Sequence, residues 1–76
     1  GQGIATEATA AMLALGFGSL DMHRITLRIA VGNASSERVA DKLGFSHEGI
    51  LREVIKVGDR WVDHSIFSLL APEYRR

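Results

Sequence analysis

The chain has 76 residues, of which 46% are hydrophobic and 24% charged; nine Lys and Arg balance nine Asp and Glu, and there is no cysteine. This composition excludes a disordered chain, and no apolar run reaches the length of a membrane span. Zero net charge provides no broad basic field for nucleic acid or an anionic membrane, and the lack of cysteine removes disulfides and thiolate metal sites, which fits a cytoplasmic protein.

The opening residues Gly1-Gln2-Gly3-Ile4 carry neither an initiator Met nor a charged leader, so the sequence is expected to open in mid-domain. From Ile4 to about Leu20, Ala5, Ala8, Met12 and Leu15 recur at helical spacing and predict an amphipathic helix. Gly16 and Gly18 weaken its last turn, and Asp21 sits where the chain reverses, a place suited to a left-handed backbone.

Ile25, Leu27, Ile29 and Val31 then alternate with Arg24, Thr26, Arg28 and Ala30, the period of a strand with one strongly apolar face. Gly32-Asn33 breaks it, and Asn33 or Ser35 can cap a short helix running to Leu43, with Glu37 in its first turn. Gly44 closes that helix, and Phe45 is placed to pack back on its last turn. Two long strands follow, His47 to Val57 and Arg60 to Leu70, joined by Gly58-Asp59 as a two-residue hairpin turn. Pro72 stops the second strand and leaves Glu73 to Arg76 as a polar tail. The fold class is therefore α/β (α+β), ordered helix, strand, helix, β-hairpin, with a mixed sheet expected.

Gly1-Gln2-Gly3-Ile4-Ala5 opens a helix, where backbone N–H groups and the positive end of the dipole converge, so a diphosphate would fit there. Glycine would let phosphate oxygens approach the main chain. An ordinary turn before a helix explains the same residues. A dinucleotide fingerprint fails at Thr6, where a third glycine or alanine belongs, and no Gly-Lys-Ser/Thr follows to make a P-loop.

The stretch from Asn33 to Phe45, Asn33-Ala34-Ser35-Ser36-Glu37-Arg38-Val39-Ala40-Asp41-Lys42-Leu43-Gly44-Phe45, resembles the Asn-x-x-Ser and Lys-x-Gly-Phe segment of GNAT acetyltransferases. Gly1 to Ala8 looks like the pyrophosphate loop of the same superfamily, with Gly3 and Ala5 at its last two small positions. Gly49-Ile50-Leu51-Arg52-Glu53, Gly58, Trp61 to His64 and Phe67 to Leu70 look like the branch of ribosomal-protein N-terminal acetyltransferases.

The resemblance implies that residues 1–76 form a partial GNAT domain, its C-terminal half, with the N-terminal half absent. It implies acetyl-CoA as co-substrate, an amine acceptor such as a protein N-terminus, and coenzyme contacts from Gly1, Gln2, Gly3, Ile4, Ala5, Thr6, Asn33, Ser36 and Arg38. Asn33 would then meet the pantetheine arm, or act only as a helix cap. Ser36 would offer its hydroxyl to the coenzyme sulfur as a general acid, or be a first-turn helix residue; the Tyr that many relatives use one turn later is Ala40 here.

Arg38 and Lys42 lie four apart and reach either phosphate or solvent. His47, Asp63 and His64 are the remaining polar candidates; Asp63 and His64 point to opposite sheet faces, and no His-Glu-x-x-His cluster suggests a metal. Trp61 and Phe67 share a strand face and are expected in the core. A module without chemistry, binding nucleotide or a second copy, is the alternative. With sheet partners missing, self-association or pairing with the absent half is expected.

Overall fold

The structure is a computed structural model that describes residues 2–75. A sixteen-residue helix, α1 (Gln2–Phe17), leads into β1 (Arg24–Ala30). Then come α2 (Ala34–Lys42), the hairpin strands β2 (Ser46–Val57) and β3 (Arg60–Leu70), and a short turn of helix, α3 (Ala71–Tyr74).

Alanine-rich sequence favours α1, but its buried face differs from the expected one. Leu13 and Phe17 are fully buried and Thr6, Thr9, Ala10 and Gly16 lie along the same stripe, whereas Met12 and Leu15 are exposed. The helix is apolar on nearly every side, so spacing alone does not say which side meets the sheet. It ends at Phe17 rather than near Leu20, because Leu20 N–H turns back to the Leu15 carbonyl (3.1 Å) and Met22 N–H to that of Gly16 (2.8 Å). Asp21 adopts the left-handed backbone expected of it, with φ 49°.

The sheet has the order β1-β3-β2, and both pairings are antiparallel. The mixed sheet anticipated from the sequence is thus not formed by these three strands, because the second hairpin strand, running opposite to β1, inserts beside it. Ile25, Leu27 and Ile29 lie opposite Leu69, Phe67 and Ser65 and share their face. That face packs on Leu13 and Phe17 of α1 with Ala40 and Phe45, forming one core. Each large apolar side chain so buried is worth about 1.5–3 kcal/mol.

At the end of α2, Phe45 N–H reaches the Ala40 carbonyl and Gly44 N–H that of Asp41, both at 3.0 Å, while Gly44 takes φ +88°. This is the paired closure that glycine permits at a helix exit, and it delivers Phe45 to the core. Gly58 has φ +61° and Asp59 does not turn positive, the pattern of a type II′ hairpin turn.

Two irregularities shape β2. An extra residue, Glu48, lies between the pairs His47–Phe67 and Gly49–Ile66, and three residues, Arg52 to Val54, oppose Asp63 alone. Beyond Ala30 there is no third strand among the described residues, so there the end of the hairpin is a two-stranded ribbon. Trp61 stands on that ribbon and is 57% exposed, so only Phe67 of the two expected core aromatics is in the core. The expected polar tail is instead partly ordered: Pro72 stands in the first turn of α3, and Glu73 accepts the Leu70 N–H at 2.9 Å.

Candidate functional site

α1 is already helical at Gln2, so Gly3, Ile4 and Ala5 belong to its first turns, where the opening N–H groups have no intrahelical acceptor. Gly1 lies outside the described residues. A Cβ built on Gly3 would meet nothing within 4 Å. Nothing inside the fold therefore requires glycine there, and the helix opening is bare on that side.

Two cavities flank this half of α1. One, of about 260 Å³, is lined by Thr6, Arg38, Val39, Asp41 and Lys42. The other, of about 170 Å³, is lined by Ala5, Thr9, Leu27, Arg28, Ile29, Ser36 and Val39. Val39 belongs to both, so the two adjoin. The fold thus brings Ala5, Thr6, Ser36 and Arg38, drawn from two helices, to one crevice. Gly3 and the exposed Ile4 stand beside it in the same opening turns, and neither lines a cavity.

Asn33 caps α2. Its side-chain oxygen accepts the Ser36 N–H at 3.3 Å and the Ser35 hydroxyl at 3.1 Å, and it lines neither cavity. Sequence reasoning missed Thr9, Leu27, Arg28, Ile29 and Val39 as lining residues. Their signal is positional: Leu27 and Ile29 lie on the strand face that α1 covers.

The crevice is electrically divided. The cavity lined by Arg38 and Lys42 also holds the Thr6 hydroxyl, and the dipole of α1 adds positive potential at the same end, with Asp41 as the opposing charge. That donor set suits an anionic group. The smaller cavity is mostly apolar, with Ser36 at its wall.

The other polar candidates lie apart from the crevice. His47 leans on Phe67 with ring centroids 5.0 Å apart. Asp63 accepts the Glu53 N–H at 2.7 Å and, with Arg52 and Glu53, borders an open polar hollow at the wide bulge. Glu53 there has φ 48°. His64 follows on the opposite face, its Nδ1 buried without a hydrogen bond among the described residues. Among the described residues no group of three His, Asp or Glu side chains could hold a metal ion, and no helix is long and apolar enough to cross a membrane.

Arg38 and Lys42 of α2 stand beside the opening turns of α1, and the comparisons give the family of this arrangement. Residues 1–46 match the family model of the acetyltransferase (GNAT) domain, and the chain belongs to that family. The probable N-acetyltransferase YjcK of Bacillus subtilis (strain 168) is 38% identical over 73 residues, which are 96% of this chain and 40% of that protein.

YdaF of the same organism, provisionally assigned as a ribosomal N-acetyltransferase, is 34% identical over 97% of this chain and 40% of its own length. A solved chimera of the spermidine N-acetyltransferase SpeG from Vibrio cholerae and hSSAT superposes with a TM-score of 0.92 at 29% identity. It covers 100% of this chain and 46% of that one. The chain spans about two fifths of the length of the curated relatives it matches. Acetyltransferases of this family use acetyl-CoA as co-substrate.

Proposed function

We propose that this chain is the coenzyme A-holding part of an acetyl-CoA-dependent N-acetyltransferase that acetylates a primary amine, with a protein N-terminal amine as acceptor; the relative YdaF is provisionally named a ribosomal N-acetyltransferase. A partial domain completed by an N-terminal half, working in the cytoplasm, belongs to the same proposal. The observation that carries it is the crevice between α1 and α2, which joins a cationic cavity to an apolar one with a hydroxyl at its wall.

The residues fit the coenzyme by their chemistry. Opening N–H groups of α1 from Gly3 onward, with Thr6 and Arg38, suit the pyrophosphate, and the bare flank of Gly3 leaves room for its oxygens. Ala5 and Ser36 border the apolar cavity, which suits the thioester arm. When bound, the coenzyme supplies an activated acetyl group. The chain's own task is to fix its position and, through the Ser36 hydroxyl, to donate a proton toward the departing sulfur. An α-amine has a pKa near 8 and needs less deprotonation than a lysine side chain, which permits a protein N-terminus as acceptor without selecting it.

The test uses a full-length form. Coenzyme A titrated by calorimetry should bind, and Gly3→Val should weaken it strongly; an unchanged dissociation constant would remove the basis of the proposal. Acetyl transfer to peptides with free N-termini, set against transfer to a polyamine, decides the acceptor. Preference for the polyamine overturns the N-terminal reading and leaves acetyl transfer intact.

A further inference from the structure

We infer that the C-terminal turn α3 is a clamp that sets the tilt of α1, with Tyr74 and Arg75 as positioning residues for the far, anion-holding end of that helix. The two ends of α1 are held very differently. Around Gly16 and Phe17 the fit is tight: a Cβ on Gly16 would come within 2.6 Å of Ile25 Cδ1, and Phe17 is 1% exposed. Toward its start the helix is less buried, with Gly3, Ile4 and Ala5 exposed and the two cavities beside Ala5 and Thr6. The helix is therefore held most closely near Phe17 and more openly at its start.

α3 grips the closely held end. The Tyr74 ring stacks on Phe17 with centroids 4.9 Å apart and planes 27° apart. Arg75 Nη2 donates to the Phe17 carbonyl at 3.0 Å, placing a cation on the last turn of α1, where the dipole favours it. Arg75 also lies 3.8 Å from Asp21 just beyond that turn. α3 is itself anchored to the sheet, since Ala71 N–H donates to the His23 carbonyl at 2.8 Å and Ala71 is buried.

Leverage gives the clamp its reach. From Phe17 to Gly3 the helix runs roughly 21 Å at 1.5 Å per residue, so a tilt of about 5° at Phe17 moves Gly3 by about 2 Å. A shift of that size takes a backbone N–H beyond the roughly 3 Å at which it can hold a ligand oxygen. Residues at the C-terminus of the chain thus govern a site at its N-terminus without touching it.

The functional readout rests on the coenzyme reading above; the structural readout does not. In a full-length form, the Tyr74→Ala/Arg75→Gln double variant should speed amide hydrogen exchange at residues 6–10 by at least about tenfold while residues 24–30 keep their protection. Its KM for acetyl-CoA and its dissociation constant for coenzyme A should rise about tenfold, with kcat within about twofold of the parent. Tyr74→Phe and Arg75→Lys, which keep the ring and the cation, should restore both.

Arg75→Gln alone, an exposed change, supplies the same comparison if the double variant does not fold. A folded variant with unchanged exchange at residues 6–10 overturns the clamp. If the parent binds no coenzyme A, the function reading fails, and exchange at residues 6–10 decides the clamp by itself.

Discussion

Glu48 and Arg24 join the two edge strands of the sheet across the strand between them. The Arg24 guanidinium donates to both oxygens of the Glu48 carboxylate, at 2.9 and 2.6 Å, and the Ser68 hydroxyl of the central strand donates to the same carboxylate at 2.7 Å. The bulge at Glu48 makes this possible by setting an extra residue into β2 just where its side chain can lie over β3.

The hydrogen bonds from Arg24, and then that from Ser68, hold the Glu48 carboxyl down at about 2, against 4.5 for an ordinary glutamate. A depressed folded-state pKa stabilises the fold above the unfolded value and loses that contribution as pH falls toward the folded one. The melting temperature should therefore drop between about pH 4.5 and pH 2. Glu48→Gln should flatten that part of the profile when unfolding is followed by circular dichroism. The pair is well exposed to solvent, so the effect should be modest and shrink further in high salt.

Two glycines should respond in opposite senses. Gly3 lies within a helix and a Cβ there meets nothing, so Gly3→Ala should leave stability unchanged or raise it by up to about 1 kcal/mol. A Cβ on Gly18 would sit 2.5 Å from the Ala14 carbonyl oxygen, a backbone atom, so Gly18→Ala should destabilise by about 1–3 kcal/mol. Denaturant titration of both variants checks this. Coenzyme A affinity should separate them the other way, with Gly3→Ala the more harmful.

Asn33 and Ser36 are adjacent in the cap yet separable by measurement. The Asn33 side chain closes the first turn of α2, so Asn33→Ala should cost about 1 kcal/mol of stability. The cap uses the N–H of Ser36 rather than its hydroxyl, so Ser36→Ala should melt as the parent does. If that hydroxyl serves as the general acid, turnover should fall by about 10²–10⁴-fold in steady-state assays. Parent-like turnover would make Ser36 a structural residue only.

The outward side of α1 carries Ile4, Met12 and Leu15, exposed at 74%, 60% and 55%, and such a face in water seeks cover. The isolated 76-residue chain should self-associate in sedimentation equilibrium, and Met12→Lys with Leu15→Lys should shift it toward monomer. A parent chain that is folded, monomeric and active in acetyl transfer would contradict this.

The sequence is most readable where one residue meets a purely local demand. Asp21, Gly44 and Gly58 each take the positive φ that their type suggests, and Asn33 caps the helix it precedes. Facing is harder to read. Ala5, Ala8, Met12 and Leu15 keep helical spacing, but Leu13 and Phe17 keep it too, and only the seat on the sheet decides between the sides.

Trp61 has the parity of Phe67, yet β1 stops at Ala30 and among the described residues no strand flanks the ribbon beyond it. The single extra residue at Glu48 moves every later side chain of β2 to the other face, the two extra residues near Glu53 keep the parity, and the residue types of β2 mark neither place. For the site, the helix opening and Ser36 stand out by type. The lining residues Leu27, Ile29 and Val39 do not, since an aliphatic residue reads as core until a cavity is found beside it.

Of the three described strands, the one that comes last in sequence lies in the middle of the sheet. During synthesis β1 emerges with no partner and must wait through α2 and β2 until residues 60–70 appear, a delay of a few seconds at about 5–20 residues per second. Among the described residues β1 and β2 have no ladder with each other, because each pairs only with β3. These three strands should thus stay protease-sensitive until β3 leaves the ribosome and then become protected together. A premature stop between Val57 and Arg60 would therefore cost the whole sheet rather than one edge of it.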